Sequence, residues 1–209
     1  MKKTITLLLS LLSVLTVGAK SMTEVWNTMP GRLVPFLDHN HQIEMTEFIA
    51  MGIGGEVDNQ LQGKSRMDTL ATDYIHVTLT EASTLEIKRL PVAGGDSILC
   101  VVHTVGLPQG ESTVNFYTQE WEPLSSPLAK LTPEKMLQQL TLRPDTMPAA
   151  RYDSLCSLLD PVMTMAHLCV SDENLTLELS LPLLSKDDRT ALNGILRKRV
   201  IRWDGKRME

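Results

Sequence analysis

Two histidines beside a carboxylate, Asp38-His39-Asn40-His41, come nearest to a reactive spacing, because imidazoles two positions apart in a loop can grip one metal with Asp38 alongside. A zinc site takes three or four ligands, and the remaining histidines, His76, His103 and His167, stand singly in strand-like patterns. A metal-dependent hydrolase centred on Asp38, His39 and His41 therefore requires another histidine or carboxylate to converge on them in a concave pocket. His167 and Cys169 lie two apart on one strand face and could touch, but two core positions account for them with fewer assumptions. Gly52-Ile53-Gly54-Gly55 follows a helical pattern, whereas a phosphate cradle sits between a strand and a helix, so it reads as a helix end. Asp58-Asn59 and Asp172-Glu173-Asn174 offer oxygen ligands without the spacing of a calcium loop, and turn chemistry explains them. No Gly-x-Ser-x-Gly, Ser-x-x-Lys or His-Glu-x-x-His string occurs. The expectation is a chain with no catalytic residues, no cofactor and no metal.

One short pattern exceeds chance. Asp68-Thr69-Leu70, Asp96-Ser97-Ile98, Asp145-Thr146-Met147 and Asp153-Ser154-Leu155 match the Asp-Ser/Thr-aliphatic pattern at which certain gut anaerobes attach O-glycans to exported proteins. Composition alone predicts about one such match. Thr69, Ser97, Thr146 and Ser154 are thus candidate modification sites, while Asp followed by Ser or Thr also marks turns and helix caps.

The start of the chain sets the compartment in which these residues would act. Lys2 and Lys3 precede an apolar run from Ile5 to Val17 and then Gly18-Ala19, the three parts of a cleaved secretory leader, with the cut expected after Ala19. A membrane-spanning helix needs about 20 apolar residues, and this run is about 13. The first cysteine is Cys100, so no lipid attachment follows the small residues, and the expected destination is the periplasm with no membrane anchor after cleavage. Removing Lys2 and Lys3 from the 20 basic residues leaves 18 against 25 acidic ones, a net charge of −7 that argues against nucleic acid as a partner. The one basic cluster, Arg197, Lys198, Arg199, Arg202, Lys206 and Arg207, reads as a helix end and a protected strand edge. Aromatic residues make up 4% of the chain, which speaks against an aromatic carbohydrate platform. Cys100, Cys156 and Cys169 permit one disulfide, Cys156 with Cys169, or free buried thiols.

The elements follow from periodicity. From Thr23 to Met51 apolar residues recur at three- and four-residue intervals, giving two amphipathic helices with a turn at Asp38-His41 and a stop at Gly52-Gly55. A polar loop through Asp58, Asn59 and Gly63 leads into four expected strands, Tyr74–Thr80, Thr84–Leu90, Ile98–Val105 and Val114–Trp121, joined by short turns into an antiparallel meander. In the second strand Leu85 and Ile87 face inward, against Glu86 and Lys88. Glu122–Pro127 reads as a linker. Beyond it come a helix capped by Thr132-Pro133, a helix over 148–159, strands over 162–170 and 175–181, a helix from Ser185 through Leu196, and a last strand over 199–203. The fold class expected is α+β, a meander packed by N-terminal helices followed by a smaller helix-and-strand lobe, in a single domain over 20–209, with a division into two lobes, 20–121 and 128–209, as the alternative.

Four stretches, VWNTMPGRLVPFL from Val25, MDTLATDYIHVTLTEASTLEIKRL from Met67, LRPDTMPAARYDSLCSLLDP from Leu142 and LTLELSLPLLSKDD from Leu175, resemble an exported family of Gram-negative gut anaerobes classed as a domain of unknown function. The resemblance spans nearly the whole chain after the leader. It implies a periplasmic or envelope-associated protein and carries no assigned chemistry. The function expected is non-catalytic binding of an envelope protein or peptide by a sheet face or edge. Tyr74, His76, Thr78 and Thr80 alternate onto one polar face and are the candidate contact residues. The alternatives are the hydrolase on Asp38, His39 and His41, and a small-ligand carrier with its pocket between the helices and the sheet.

Overall fold

The computed structural model describes residues 20–209, so the leader expected over residues 1–19 lies outside the described residues. Among the described residues the chain forms five helices and two antiparallel sheets, an α+β architecture. Helix α1 (Met22–Asn27) opens with a reciprocal cap: Glu24 N–H donates to Ser21 Oγ at 3.1 Å and Ser21 N–H to Glu24 Oε2 at 2.7 Å. Pro30 and a short 3-10 turn over Gly31–Leu33 separate it from α2 (His39–Met51). Asp38 is the N-cap of α2, accepting the His41 N–H at 3.0 Å, so the stretch expected as a turn at Asp38–His41 is the first turn of the helix. Polar residues conceal that start because a first turn held by its cap needs no apolar stripe. Gly52 ends the helix in the left-handed region at φ 72°, where Ile53 N–H reaches Phe48 O.

A seven-stranded meander follows: β1 (Gly55–Asp58), β2 (Lys64–Leu70), β3 (Tyr74–Thr80), β4 (Ser83–Pro91), β5 (Ser97–Val105), β6 (Glu111–Tyr117) and β7 (Pro123–Leu124), each paired with the next. Four were legible; β1, β2 and β7 were not. In β1 and β2 the inward positions are Val57, Ser65 and Met67 between exposed Glu56, Asp58, Lys64 and Arg66, so only two apolar side chains mark the core face. Buried Ser65 is satisfied by Leu79 O at 2.7 Å, and Asn59 Nδ2 reaches Ser65 Oγ at 3.2 Å while its Oδ1 accepts the N–H groups of Leu61 and Gly63. Those bonds make a strand pair from a stretch that reads as loop. Part of the expected linker adds β7 to the edge, after Trp121, at φ 66°, turns inward.

The two faces of the meander are both covered. On one, Ile75, Val77, Leu79, Leu85, Ile87, Leu99 and Val101 pack against α1, α2 and Trp121. Trp26 Nε1 donates to Gln42 O at 2.8 Å and Trp121 Nε1 to Val25 O at 3.0 Å, so both large rings are buried without an orphaned donor. On the other, Tyr74, Leu90, Cys100, Val102 and Phe116 meet a three-stranded sheet in the order β10 (Arg199–Ile201), β9 (Leu175–Ser180), β8 (Met163–Leu168). Helices α3 (Pro133–Leu140), α4 (Ala149–Ser157) and α5 (Lys186–Leu192) close the far end, where Leu155, Leu159, Leu181, Leu192 and Ile195 form a third cluster. Thr132 caps α3 with Pro133 in the first turn, as read from sequence. Residues of both stretches, 20–121 and 128–209, share the inter-sheet core. All three cysteines are free, so the permitted Cys156–Cys169 disulfide is not formed; Cys169 Sγ instead lies 3.2 Å from Ser171 Oγ.

Candidate functional site

The polar face expected on β3 is divided by the small sheet. Tyr74, at its start, is 4% exposed within the inter-sheet core, and so is not available to a partner. Burial first, and then the nearby Glu86 carboxylate, push its phenol well above the ordinary tyrosine value. Past the cover of the small sheet, Thr78 and Thr80 line an open groove of about 740 Å³ on the outer face of β2 and β3. Its walls come from both hairpin tips: Leu61, Lys64 and Arg66 from one side, Glu81 and Ala82 from the other. Beside it, Asp68 sits in a bulge of β2 and replaces a ladder acceptor, taking the Thr78 N–H at 3.0 Å and the Thr78 hydroxyl at 2.6 Å. Its other oxygen, Oδ1, accepts from Arg66 Nε at 2.6 Å, while His76 Nδ1 lies 3.1 Å from Oδ2, the oxygen that takes the Thr78 groups. Burial raises the Asp68 carboxyl, but the Thr78 hydroxyl and the Arg66 guanidinium outweigh it and hold the group below the ordinary carboxylate range. His76 is half-buried against Asp68 and does not line the groove. Leu61, Lys64 and Arg66 are groove residues that pattern reading missed, because the β1–β2 hairpin leaves little apolar trace; Glu81 sits in the turn between two strands that were read, but nothing local marks that turn as a groove wall.

Behind the groove the two sheets are joined by charge. Glu86 and Lys88, on the strand face opposite Leu85 and Ile87, are buried, with side chains 6% and 1% exposed. The small sheet covers that face, and the apolar run of β5 next door was the available sign that the sheet is buried on both sides here. Strand β8 presents its unpaired edge to the large sheet, and side chains meet it at every second residue. Ser112 Oγ accepts the Ala166 N–H at 2.9 Å, Glu86 Oε2 the Leu168 N–H at 2.6 Å, and Lys88 Nζ donates to Val170 O at 3.0 Å and pairs with Asp73 at 2.9 Å. His167 lies with Nδ1 3.3 Å from Glu86 Oε1 and Nε2 3.6 Å from Glu178 Oε1. Both ring nitrogens therefore face carboxylates, and neither is turned to Cys169 as a base.

The hydrolase alternative loses its geometry. His39 is exposed on the first turn of α2, His41 Nδ1 lies 3.0 Å from the capping Asp38, and among the described residues no group of three or more His, Cys, Asp or Glu gathers as a metal site would require. The carrier pocket expected between helices and sheet is filled by Trp26, Met45, Leu37 and Trp121; the large cavity lies on the opposite face. Of the modification candidates, Thr146 and Ser154 are exposed and Thr69 is half-buried. Ser97 Oγ is sealed from solvent without a partner, so the folded chain has no room for a glycan there.

A model of a family described as a protein of unknown function, DUF3256, matches residues 14–208. The chain is similar in fold to a solved domain of an uncharacterized protein from Porphyromonas gingivalis W83, with TM-score 0.72 and 18% identity over 92% of this chain and 98% of that one. No curated protein matches the chain. The match over nearly the whole length places it: the chain belongs to the DUF3256 family of proteins of unknown function.

Proposed function

We propose that this chain is an exported, non-catalytic binding protein of the periplasm, and that it takes an extended segment of an envelope protein or peptide in the groove over β2 and β3. The observation that carries the reading is the groove itself: an open concavity of about 740 Å³ on a rigid sheet, with Thr78 and Thr80 on its floor and both charge signs on its walls. Hydroxyls, a lysine, an arginine and glutamates suit the alternating donors and acceptors of a polar extended chain. Export is supported by Lys2, Lys3, the apolar run to Val17 and Gly18-Ala19. The non-catalytic part is supported by His41, His76 and His167, which pair with Asp38, Asp68, Glu86 and Glu178 in structural roles.

Photo-crosslinkers placed at Thr80 and Leu61 of the full chain in native cells test the reading. A partner crosslinked from both groove positions, and not from Leu183 at the far end of the molecule, is the expected result. Thr80→Arg, which fills the groove from a half-exposed position, should abolish the crosslink at Leu61 and leave the chain folded, with a modestly lowered unfolding midpoint because the bonds of the Thr80 hydroxyl to Ser83 and Ala82 are lost. A partner captured equally with Thr80→Arg, or only from Leu183, would overturn the assignment.

A further inference from the structure

Glu86 is the most buried carboxylate of the inter-sheet contact, and among the described residues His167 is the only cation within 4 Å of it. Every other group around the ring is accounted for. Lys198, just ahead of β10, approaches Glu178 Oε2 at 2.5 Å; Lys88 on β4 pairs with Asp73; Tyr74 on β3 lies beside Glu86 as a neutral phenol; Cys169 follows on the same segment and bonds Ser171. With His167 neutral, one ring nitrogen at most donates a proton, so its lone pair faces a second carboxylate and Glu86 is left buried without a counter-charge. With His167 protonated, Nδ1 donates to Glu86 at 3.3 Å and the ring's charge also pairs with Glu178 at 3.6 Å, one carboxylate from each sheet.

We propose that His167 is a pH-sensitive latch between the two sheets: as an imidazolium bridging Glu86 and Glu178 it holds β8 against the large sheet, and its deprotonation loosens that edge. The chemistry agrees in sign. The hydrogen bond to Glu86 leads in raising the ring above the ordinary value of 6.5, outweighing its partial burial. The latch is therefore closed below 6.5 and opens as pH rises through the folded value. Ala166 and Leu168, whose amides rest on Ser112 and Glu86, are the first backbone groups to be released. In a compartment that follows the external medium, this would tie the exposure of the β8 edge to ambient pH.

Amide hydrogen exchange read by NMR tests it, with the Leu168 protection factor, corrected for intrinsic exchange, divided by that of Val101 in the sheet core. The expected result is a ratio that falls several-fold as pH rises through the His167 midpoint, and that becomes flat in His167→Gln. A flat ratio in the natural chain, or a fall that survives His167→Gln, would overturn the latch. Should His167→Gln fail to fold, Glu178→Gln removes one of the two carboxylates from a partly exposed site and must lower the midpoint of the His167 ring signals; an unmoved midpoint also overturns it.

Discussion

Tyr74 carries its phenol into the seam between the sheets, next to Glu86 and over Cys100 and Leu90, where loss of the ring would leave a hole that rigid strands cannot close. Tyr74→Ala is expected to cost about 3–5 kcal/mol in urea unfolding followed by the fluorescence of buried Trp26 and Trp121. Tyr74→Phe, which keeps the ring and drops the hydroxyl, should cost about 1 kcal/mol. Equal stability of Tyr74→Ala and the natural chain would mean that the ring lies outside the core. The alternation of Tyr74, His76 and Thr78 onto one face was legible, since side chains in a strand change sides at each residue. What covers that face was not. Tyr74 lies under β8 and Thr78 under open solvent although they share a strand and a side, because cover comes from residues more than 80 positions away.

At the scale of elements, the two N-terminal helices and four of the strands could be read because each carries an apolar period of its own. The hairpin of β1 and β2 is held by hydrogen bonds of Asn59 and Ser65, which leave no hydrophobic trace. Its contact with α2 is close: a Cβ on Gly55 would lie 3.0 Å from Ile49 Cγ1, 3.0 Å from Met67 Cβ and 3.1 Å from Met45 O. Gly55→Ala should thus prise α2 from the hairpin at about 1–3 kcal/mol. Gly52→Ala meets no neighbour but strains the left-handed cap at φ 72°, for about 1–2 kcal/mol. Calorimetry should show both as lowered Tm, by about 2–4 °C per kcal/mol for a chain of this size. Only Gly55→Ala should also speed exchange of the β1 amides, since it alone separates packed elements.

For the whole molecule, two histidines give stability opposite slopes around neutrality. The folded value of His167 is raised, so its contribution is complete below 6.5 and lost as pH climbs. His103 is held below its ordinary value by burial, so its contribution is complete above 6.5 and lost as pH falls through its folded value. Asp68, held low, adds a loss only in acid, below its ordinary 3.8. His103→Leu should therefore expose a stability that declines as pH rises above 6.5, and His167→Gln one that falls as pH drops below 6.5, by urea titration from about pH 5 to 8. Identical slopes in the two variants would contradict both assignments. Peptide mapping of protein from native cells tests the proposed export: the expected chain starts at Lys20, with any O-glycan on exposed Thr146 or Ser154 and none on sealed Ser97.

By itself the sequence determined what depends on neighbours along the chain. Its apolar periods, its caps at Thr132 and Ser185 and its turn residues set most helices and strands, and the α+β class follows from their order. Only the tertiary structure decided that Glu86 and Lys88 are buried, that the Asp38–His41 histidines serve a helix start, and that the open groove lies over β2 and β3 rather than under the helices. Local structure is specified by residues a few positions apart, whereas burial and the pairing of charges are specified by whichever distant segment packs across the sheet. Charged residues that alternate with apolar ones look the same in the sequence whether water or a second sheet lies above them.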